Sequence, residues 1–396
     1  MRVTWVTWVT WVTQRLPVTL VTFVTLVTAA HATDCAALAN HELPHVHIAA
    51  AQLVPAQADV AEFCRVQGEA RPTADSQIGF ELWLPASGWN GRYYQLGNGG
   101  FAGSIHLPAL AAELRRGNAV AATDTGHRAH AFDATWALNH PEKIIDYGYR
   151  SLHETSRAAQ ELVRAYYGRP ARYKYFTGCS NGGRQALMAP QRFPEDWDGI
   201  LAGAPALNWT HQLATFAAQP TGDMRSQLTL ADQFFRYLVH DDPTWNVGRF
   251  AGQRDFELAR QRRIGDQTLS EVLDATDPDL TRFERRHGKL LMYFGWADDL
   301  ISPQAGVDYY ERVIARMGGT ERTQAFFRLF MVPGMGHCQG GAAPHAFGQA
   351  YVAPGLRDDP EHDIRRALEA WVEQGRVPER IVEAAQVLRP YKMGEQ

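Results

Sequence analysis

The sequence predicts an α/β fold: a mostly parallel sheet with helices on both faces. Three observations carry that reading. Short apolar, β-rich runs alternate along the chain with segments of helical periodicity, as in strands joined by crossover helices. The strand candidates are continuously apolar rather than alternating, which suits strands buried on both faces. One of them, RYKYFTG, runs through a glycine-flanked turn directly into a helical segment.

In chain order, strands are expected at Arg92 to Leu96, Ala119 to Thr123, Tyr173 to Thr177, Gly199 to Ala202, Lys289 to Phe294 and Phe326 to Val332. Ahead of the third, SLHETSRAAQELVRAYYG places Leu152, Ala159, Leu162, Val163 and Tyr166 on one helical face. After it, NGGRQALMAPQRF reads as a helix. SPQAGVDYYERVIARMGG opens on Ser-Pro and closes on Gly-Gly, a start and a stop signal, and EHDIRRALEAWVEQG is the last helix. From Trp209 to about Gly288 the pattern breaks into a polar, helix-prone stretch rich in Arg and Asp. That is too long for a plain loop in a compact domain, so 209–288 is expected to be an inserted lid. Residues 33–208 and 289–396 would then form the body. The competing reading is a peripheral helical subdomain with no role at the site.

The 396 residues are 45% hydrophobic and 21% charged, with a formal net charge of -4. Neither a basic stripe for nucleic acid nor a polybasic membrane patch is implied. The N-terminal Val-Thr repeat carries Arg2 and Arg15, a mostly apolar run from Leu16 to Ala30, and Ala30-His31-Ala32 as an A-x-A site. Residues 1–32 therefore read as an export signal, with a retained anchor as the alternative. A secreted or periplasmic protein with no stable membrane span after cleavage is expected. In an oxidising compartment the four cysteines, Cys35, Cys64, Cys179 and Cys338, allow three pairings. No C-x-x-C or zinc-type Cys/His spacing is present, and the run His127, His130, His140, His153 lacks H-E-x-x-H, so no metal is expected.

Gly178-Cys179-Ser180-Asn181-Gly182 fits G-x-S-x-G, and its strand–turn–helix context is that of an α/β-hydrolase nucleophile turn. A serine hydroxyl needs a base and an orienting acid. GWADDLISP supplies the acid just beyond a strand, with Asp298 preferred to Asp299 because it follows the turn directly. RLFMVPGMGHCQGG supplies His337 in a glycine-rich loop after another strand. The order Ser, Asp, His and the placement at strand carboxyl ends agree with this architecture. An oxyanion needs two backbone N–H donors. Asn181 would give one, and Gly100 in YYQLGNGGFAG the other, with Gly99 next in line. A phosphate-cradling loop is the rival for that stretch, but G-x-G-x-x-G and a P-loop Lys-Ser are missing. Asp124 and His127, at a strand end, are read mainly as loop structure.

If Ser180 meets His337, their neighbours Cys179 and Cys338 come within disulfide range. Such a bridge would tie nucleophile to base, and Cys35 would pair with Cys64 by elimination. A free Cys179 acting as nucleophile is the alternative, and a catalytically silent binding protein is another.

These motifs, with WNGRYYQLGNGGFAG, AVAATDTGH and GCSNGGRQALMAPQRFPEDWDGILAGAPA, resemble the tannase and feruloyl esterase family of secreted α/β-hydrolases. The resemblance covers most of residues 85 to 375. It implies a Ser180, Asp298, His337 triad, Gly100 and Asn181 as oxyanion donors, and a Cys179–Cys338 bridge. It also implies small-molecule substrates that are esters of phenolic or aromatic acids: gallates, hydroxycinnamates or, in one branch, a terephthalate half-ester. Larger members carry an Asp-rich calcium loop in the lid. The aspartates of 209–288 do not fall in that pattern, so no cofactor is carried over. Trp296, beside the acid loop, is a candidate wall of the substrate site. The sequence assigns no oligomeric state.

Overall fold

The computed structural model describes residues 34–342, 346–349, 356–383 and 386–394; the export segment expected at 1–32 lies outside them. The sheet begins with three antiparallel strands, β1 (Val46–Val54), β2 (Phe63–Ala70) and β3 (Ile78–Pro85). There follow β4 (Arg92–Leu96), helix α1 (Leu107–Arg115), β5 (Ala119–Thr123), α2 (Pro141–Ile145), α3 (Ser151–Tyr167), β6 (Tyr173–Cys179), α4 (Asn181–Arg192) and β7 (Gly199–Gly203). After β7 come α5 (Trp209–Ala218), α6 (Met224–Gln233), α7 (Gln253–Gln261), the two-residue strands β8 (Arg263–Ile264) and β9 (Gln267–Thr268), α8 (Leu269–Leu273) and α9 (Thr281–Arg285). The chain then returns to the sheet as β10 (Lys289–Gly295), α10 (Pro303–Met317), α11 (Thr320–Gln324) and β11 (Phe327–Val332). It ends with α12 (Ile364–Gln374) and a hairpin of β12 (Ile381–Glu383) and β13 (Gln386–Leu388).

The nine-stranded sheet is ordered β1-β2-β3-β5-β4-β6-β7-β10-β11. Every pair from β5 to β11 is parallel. The chain leaves β4 toward β5 on one side, and leaves β6 toward β7 on the other. The carboxyl ends of β4 and β6 therefore flank the switch in strand order, where open α/β sheets form their crevice. Gly97 N–H donates to the Thr177 carbonyl at 2.9 Å and holds those two ends together.

Successive strand residues alternate between the two faces. Tyr94, Val120, Tyr175, Leu201 and Leu291 pack with Leu110 and Leu114 of α1 and Leu368 and Trp371 of α12. Phe176, Ile200, Leu290 and Met292 pack on the other face with α4, α10 and the helices that follow β7. A third cluster joins α3 to the antiparallel end of the sheet, including the buried Cys35–Cys64 disulfide, whose α-carbons are 5.5 Å apart. Among the described residues no helix is long and apolar enough to cross a membrane.

All six expected strands form. The antiparallel strands β1 to β3 were not expected from the sequence, and for β1 the reason is local. VHIAAAQLV is alanine-rich and half exposed, and a register shift between Ile48 and Ala50 breaks its period-2 alternation.

Candidate active site

The first site residue is placed by the turn between β6 and α4. Ser180 sits at φ 65° and ψ -124°, a left-handed backbone that a side-chain-bearing residue adopts only when its surroundings enforce it. The surroundings do so. Ser180 N–H donates to the Gly203 carbonyl at 3.0 Å, and its own carbonyl accepts from Arg184 N at 3.0 Å and Ala206 N at 3.2 Å. Glycine is required on the inside of the turn, because a Cβ on Gly178 would lie 2.6 Å from the Gly182 backbone. The half-buried Ser180 side chain is thus presented at the amino end of a twelve-residue helix, where the helix dipole favours negative charge.

Beyond β10, the chain turns at Asp298, whose side chain is fully buried. One carboxylate oxygen accepts from Leu300 N at 3.0 Å and Ile301 N at 2.8 Å, which fixes the group. The other lies 2.8 Å from His337 Nδ1. Asp298, not the exposed Asp299, therefore faces the histidine; Asp299 instead offers its carbonyl to Gln227 at 3.1 Å. With Nδ1–H donated to Asp298, the other ring nitrogen of His337 is left as the acceptor. Trp296 N–H to Val332 O, 3.0 Å, and Ala297 N–H to Met335 O, 3.0 Å, tie the acid and base loops together.

A Cys179–Cys338 disulfide with α-carbons 5.9 Å apart joins the residue before Ser180 to the residue after His337. Ser180 and His337 line one cavity. Among the described residues they share this space rather than a hydrogen bond, and nucleophile–base contacts in ligand-free enzymes commonly close only around substrate.

The Gly97–Gly100 loop lines the same cavity as Ser180, and Asn181, the residue after Ser180, is tied to that loop by its side-chain amide, which donates to the Asn98 carbonyl at 3.3 Å. A Cβ on Gly100, at φ 53°, would meet the Ala131 carbonyl at 2.1 Å, so this turn admits only glycine. The backbone N–H groups of Gly100 and Asn181 have no partner among the described residues. Several side chains hold them, none singled out by sequence reasoning. The Tyr147 hydroxyl lies 2.9 Å from the Gly100 carbonyl and 3.1 Å from Asn181 Oδ1, bridging the two candidate donors with one proton. Burial pushes this phenol up to about 12, so it stays a donor. Arg184, wholly buried, donates to Asn181 Oδ1 at 2.8 Å and to the carbonyls of Gly148, Tyr147 and Leu273. Asn98 and Gln185 exchange two bonds, of 3.1 and 2.8 Å. Only Arg184 and Gln185 had a visible signal, as long polar residues in the first turns of a helix that is buried along that stretch.

The Tyr147→Phe variant should lower kcat about tenfold with little change in KM, because it frees the donors to drift while leaving the substrate walls in place. Steady-state kinetics on a methyl ester of an aromatic acid reads that split directly. An equal loss in KM would mean that Tyr147 shapes binding instead.

Asp124 and His127 serve the loop and do not line the cavity. Asp124 Oδ1 accepts from Gly79 N and Gly126 N, both at 2.9 Å. His127 Nε2 donates to the Phe101 carbonyl at 2.8 Å and its ring stacks on Trp136 at 3.9 Å. Burial pushes His127 down to about 4 and Asp124 up to about 7. The stability that His127 contributes is complete above its unfolded value near 6.5 and is lost as pH falls toward 4. The contribution of Asp124 runs the opposite way, present in acid and lost as pH rises through about 7. The two offset each other in the native protein, so the His127→Gln variant is needed to separate them. The stability gap between wild type and this variant should narrow by about 3 kcal/mol from pH 7 to pH 4, measured by urea unfolding. A gap independent of pH would show that His127 does not titrate with folding.

The cavity encloses about 490 Å³. Trp209 and Leu230 reach it from the helices after β7, and Leu300 and Ile301 from the acid loop. Trp296 does not line it. Its backbone N–H continues the ladder to β11, and the residue is 41% exposed. The turn at Asp298 brings Leu300 and Ile301 inward in its place.

The sequence model described as tannase and feruloyl esterase matches residues 64–231 and 227–394. An uncharacterised esterase of Xanthomonas campestris pv. campestris is 35% identical, over 90% of this chain and 85% of its own. Feruloyl esterase B of Aspergillus niger is 25% identical, over 86% of this chain and 83% of its own. Among solved structures, feruloyl esterase B from Aspergillus oryzae superposes with a TM-score of 0.81 at 22% identity, covering 90% of this chain and 95% of that one. Tannin acyl hydrolase from Aspergillus niger superposes with a TM-score of 0.69 at 19% identity, covering 88% and 89%.

Proposed function

This chain belongs to the tannase and feruloyl esterase family and is a carboxylic ester hydrolase; from that premise we propose that it cleaves esters of phenolic or aromatic acids through a Ser180, His337, Asp298 triad. One observation supports the reading above the others. The loop that carries the Asp298-paired His337 is bonded covalently to the turn that holds Ser180 in a left-handed backbone.

His337 takes the Ser180 proton on Nε2 as Oγ attacks the ester carbonyl. The Gly100 and Asn181 N–H groups stabilise the oxyanion, and Asp298 steadies the imidazolium. Collapse of the tetrahedral adduct expels the alcohol, protonated by His337. Water then cleaves the acyl-enzyme, with the same nitrogen as base. The 209–288 segment acts as a lid, for Trp209 and Leu230 give it an apolar share of the cavity wall fitted to an aromatic ring. Two disulfides and the export-type N-terminus support a secreted or periplasmic location.

Methyl gallate, methyl ferulate, methyl caffeate and a terephthalate half-ester form the test panel, with p-nitrophenyl acetate as reference. Hydrolysis of at least one aromatic ester with kcat/KM well above that of the reference is expected. Turnover of the acetate alone would overturn the substrate class.

A further inference from the structure

Arg184 ties one candidate oxyanion donor to the inserted segment. Asn181 Oδ1 accepts from Arg184 Nε at 2.8 Å. Arg184 Nη1 donates to the Gly148 carbonyl at 2.9 Å and the Leu273 carbonyl at 3.0 Å, and Nη2 to the Tyr147 carbonyl at 3.1 Å. One side chain thus joins three separate stretches: the first turn of α4, the turn at 147–148, and α8 of the 209–288 segment. A guanidinium alone projects enough donors in a fixed plane to do so from one point. All four bonds run to uncharged acceptors, and the residue is wholly buried. Its desolvation is therefore not offset by a direct ion pair among the described residues, a cost that a side chain kept for packing alone would not carry.

From Leu273 the connection runs on to the cavity wall. The next residue, Asp274, accepts from Thr210 N at 2.9 Å and from Thr210 Oγ1 at 2.7 Å. Ala275 N–H donates to the Leu207 carbonyl at 2.7 Å. Residues 274 and 275 therefore hold the chain on both sides of Trp209, which lines the cavity. The Gly100 side packs against the same wall. The ring of Phe101, the residue after Gly100, lies 6.2 Å from that of Tyr147 and 6.0 Å from that of Trp209, centre to centre. Wall and oxyanion donors are thus linked through a few buried contacts, with Arg184 as the polar one.

We propose that Arg184 is a positioning residue that couples the Trp209 wall to the Asn181 donor, so that an acyl group seated on Trp209 speeds the chemical step as well as binding. The proposal rests on the reading of Ser180 as nucleophile and Asn181 as oxyanion donor. A planar acyl group that fills the wall fixes Trp209. Through Thr210, Asp274 and Leu273 it steadies Arg184, and through Arg184 it steadies the direction of the Asn181 N–H. An acetyl group leaves the wall unfilled and gains none of this. Contact energy from a part of the substrate that does not react is thereby used in the transition state.

The test compares two p-nitrophenyl esters, the acetate and that of the aromatic acid ranking first in the panel above. They share a leaving group, so the ratio of their kcat values, taken relative to wild type, isolates the acyl group. In Arg184→Met the aromatic-to-acetate ratio should fall about tenfold, with KM for the aromatic ester within about twofold of wild type. Thr210→Val keeps the backbone bond to Asp274 and removes the hydroxyl bond. It should lower the same ratio about threefold while leaving kcat for the acetate unchanged, and this arm stands even if Arg184→Met does not fold. The double variant should fall no further than Arg184→Met, because both changes interrupt one connection. Equal losses for the two esters in Arg184→Met, an unchanged ratio in Thr210→Val, or losses that multiply in the double variant each overturn the coupling. A wild type that cleaves no aromatic ester of the panel would instead overturn the reading on which the proposal rests, and the proposal with it.

Discussion

Replacing Ser180 by alanine is expected to lower kcat/KM for aromatic esters by about 10⁴-fold or more while leaving the protein folded. The size follows from the chemistry: without Oγ no acyl-enzyme forms, and the oxyanion donors are left to assist only direct attack by water. Folding should survive because alanine keeps the Cβ, and Ser180 is held by backbone bonds to Gly203, Arg184 and Ala206. Thermal unfolding and near-UV circular dichroism would verify the fold, and active-site titration with a fluorophosphonate would verify the missing nucleophile. Retained turnover would sink the triad. The rival thiol mechanism is already at odds with the structure, in which Cys179 is bonded to Cys338. Alkylating agents should accordingly leave the native enzyme active.

The second large effect is expected from that disulfide. The Cys179→Ala, Cys338→Ala double variant should lose about 5 kcal/mol of unfolding free energy in the chain-entropy treatment, because the bridge closes a loop of sequence separation 159. It should also lose about 10²-fold in kcat, because the base loop is then free to shift by an ångström from Ser180. The Cys35→Ala, Cys64→Ala pair is the control. Its separation is only 29, so the expected loss is smaller, about 3.5 kcal/mol, and neither cysteine lines the cavity. Stability should fall in both double variants, but kcat only in the first. Mild reductant should reproduce the first result, since Cys179 and Cys338 are half-buried whereas Cys35 and Cys64 are buried. If the Cys179, Cys338 variant keeps full kcat at a temperature where it is folded, the bridge is structural alone.

Much of the fold was legible because its signals are local. A buried parallel strand must be apolar throughout, so β4, β5, β6, β7, β10 and β11 announce themselves within a few residues of their observed ends. Strands β1 and β2 did not, since both are partly exposed and β1 carries a register shift; β3, buried nearly throughout, went unread although it joins them to β5. At the site, the motif turns pointed to Ser180, Asp298 and His337, and the two candidate disulfides form as expected. Trp296 failed because adjacency to the acid loop says nothing about which way a side chain faces once the chain reverses.

What the sequence determined by itself is what short-range chemistry dictates: the alternation of strand and helix, the glycine-lined turn around Ser180, and the order of serine, acid and base. Which acid meets His337 and the bridging of Gly100 and Asn181 by Tyr147 were decided only by the tertiary structure. Each joins residues tens of positions apart, through side-chain atoms whose partners are set by packing. No periodicity or spacing along the chain encodes such a meeting.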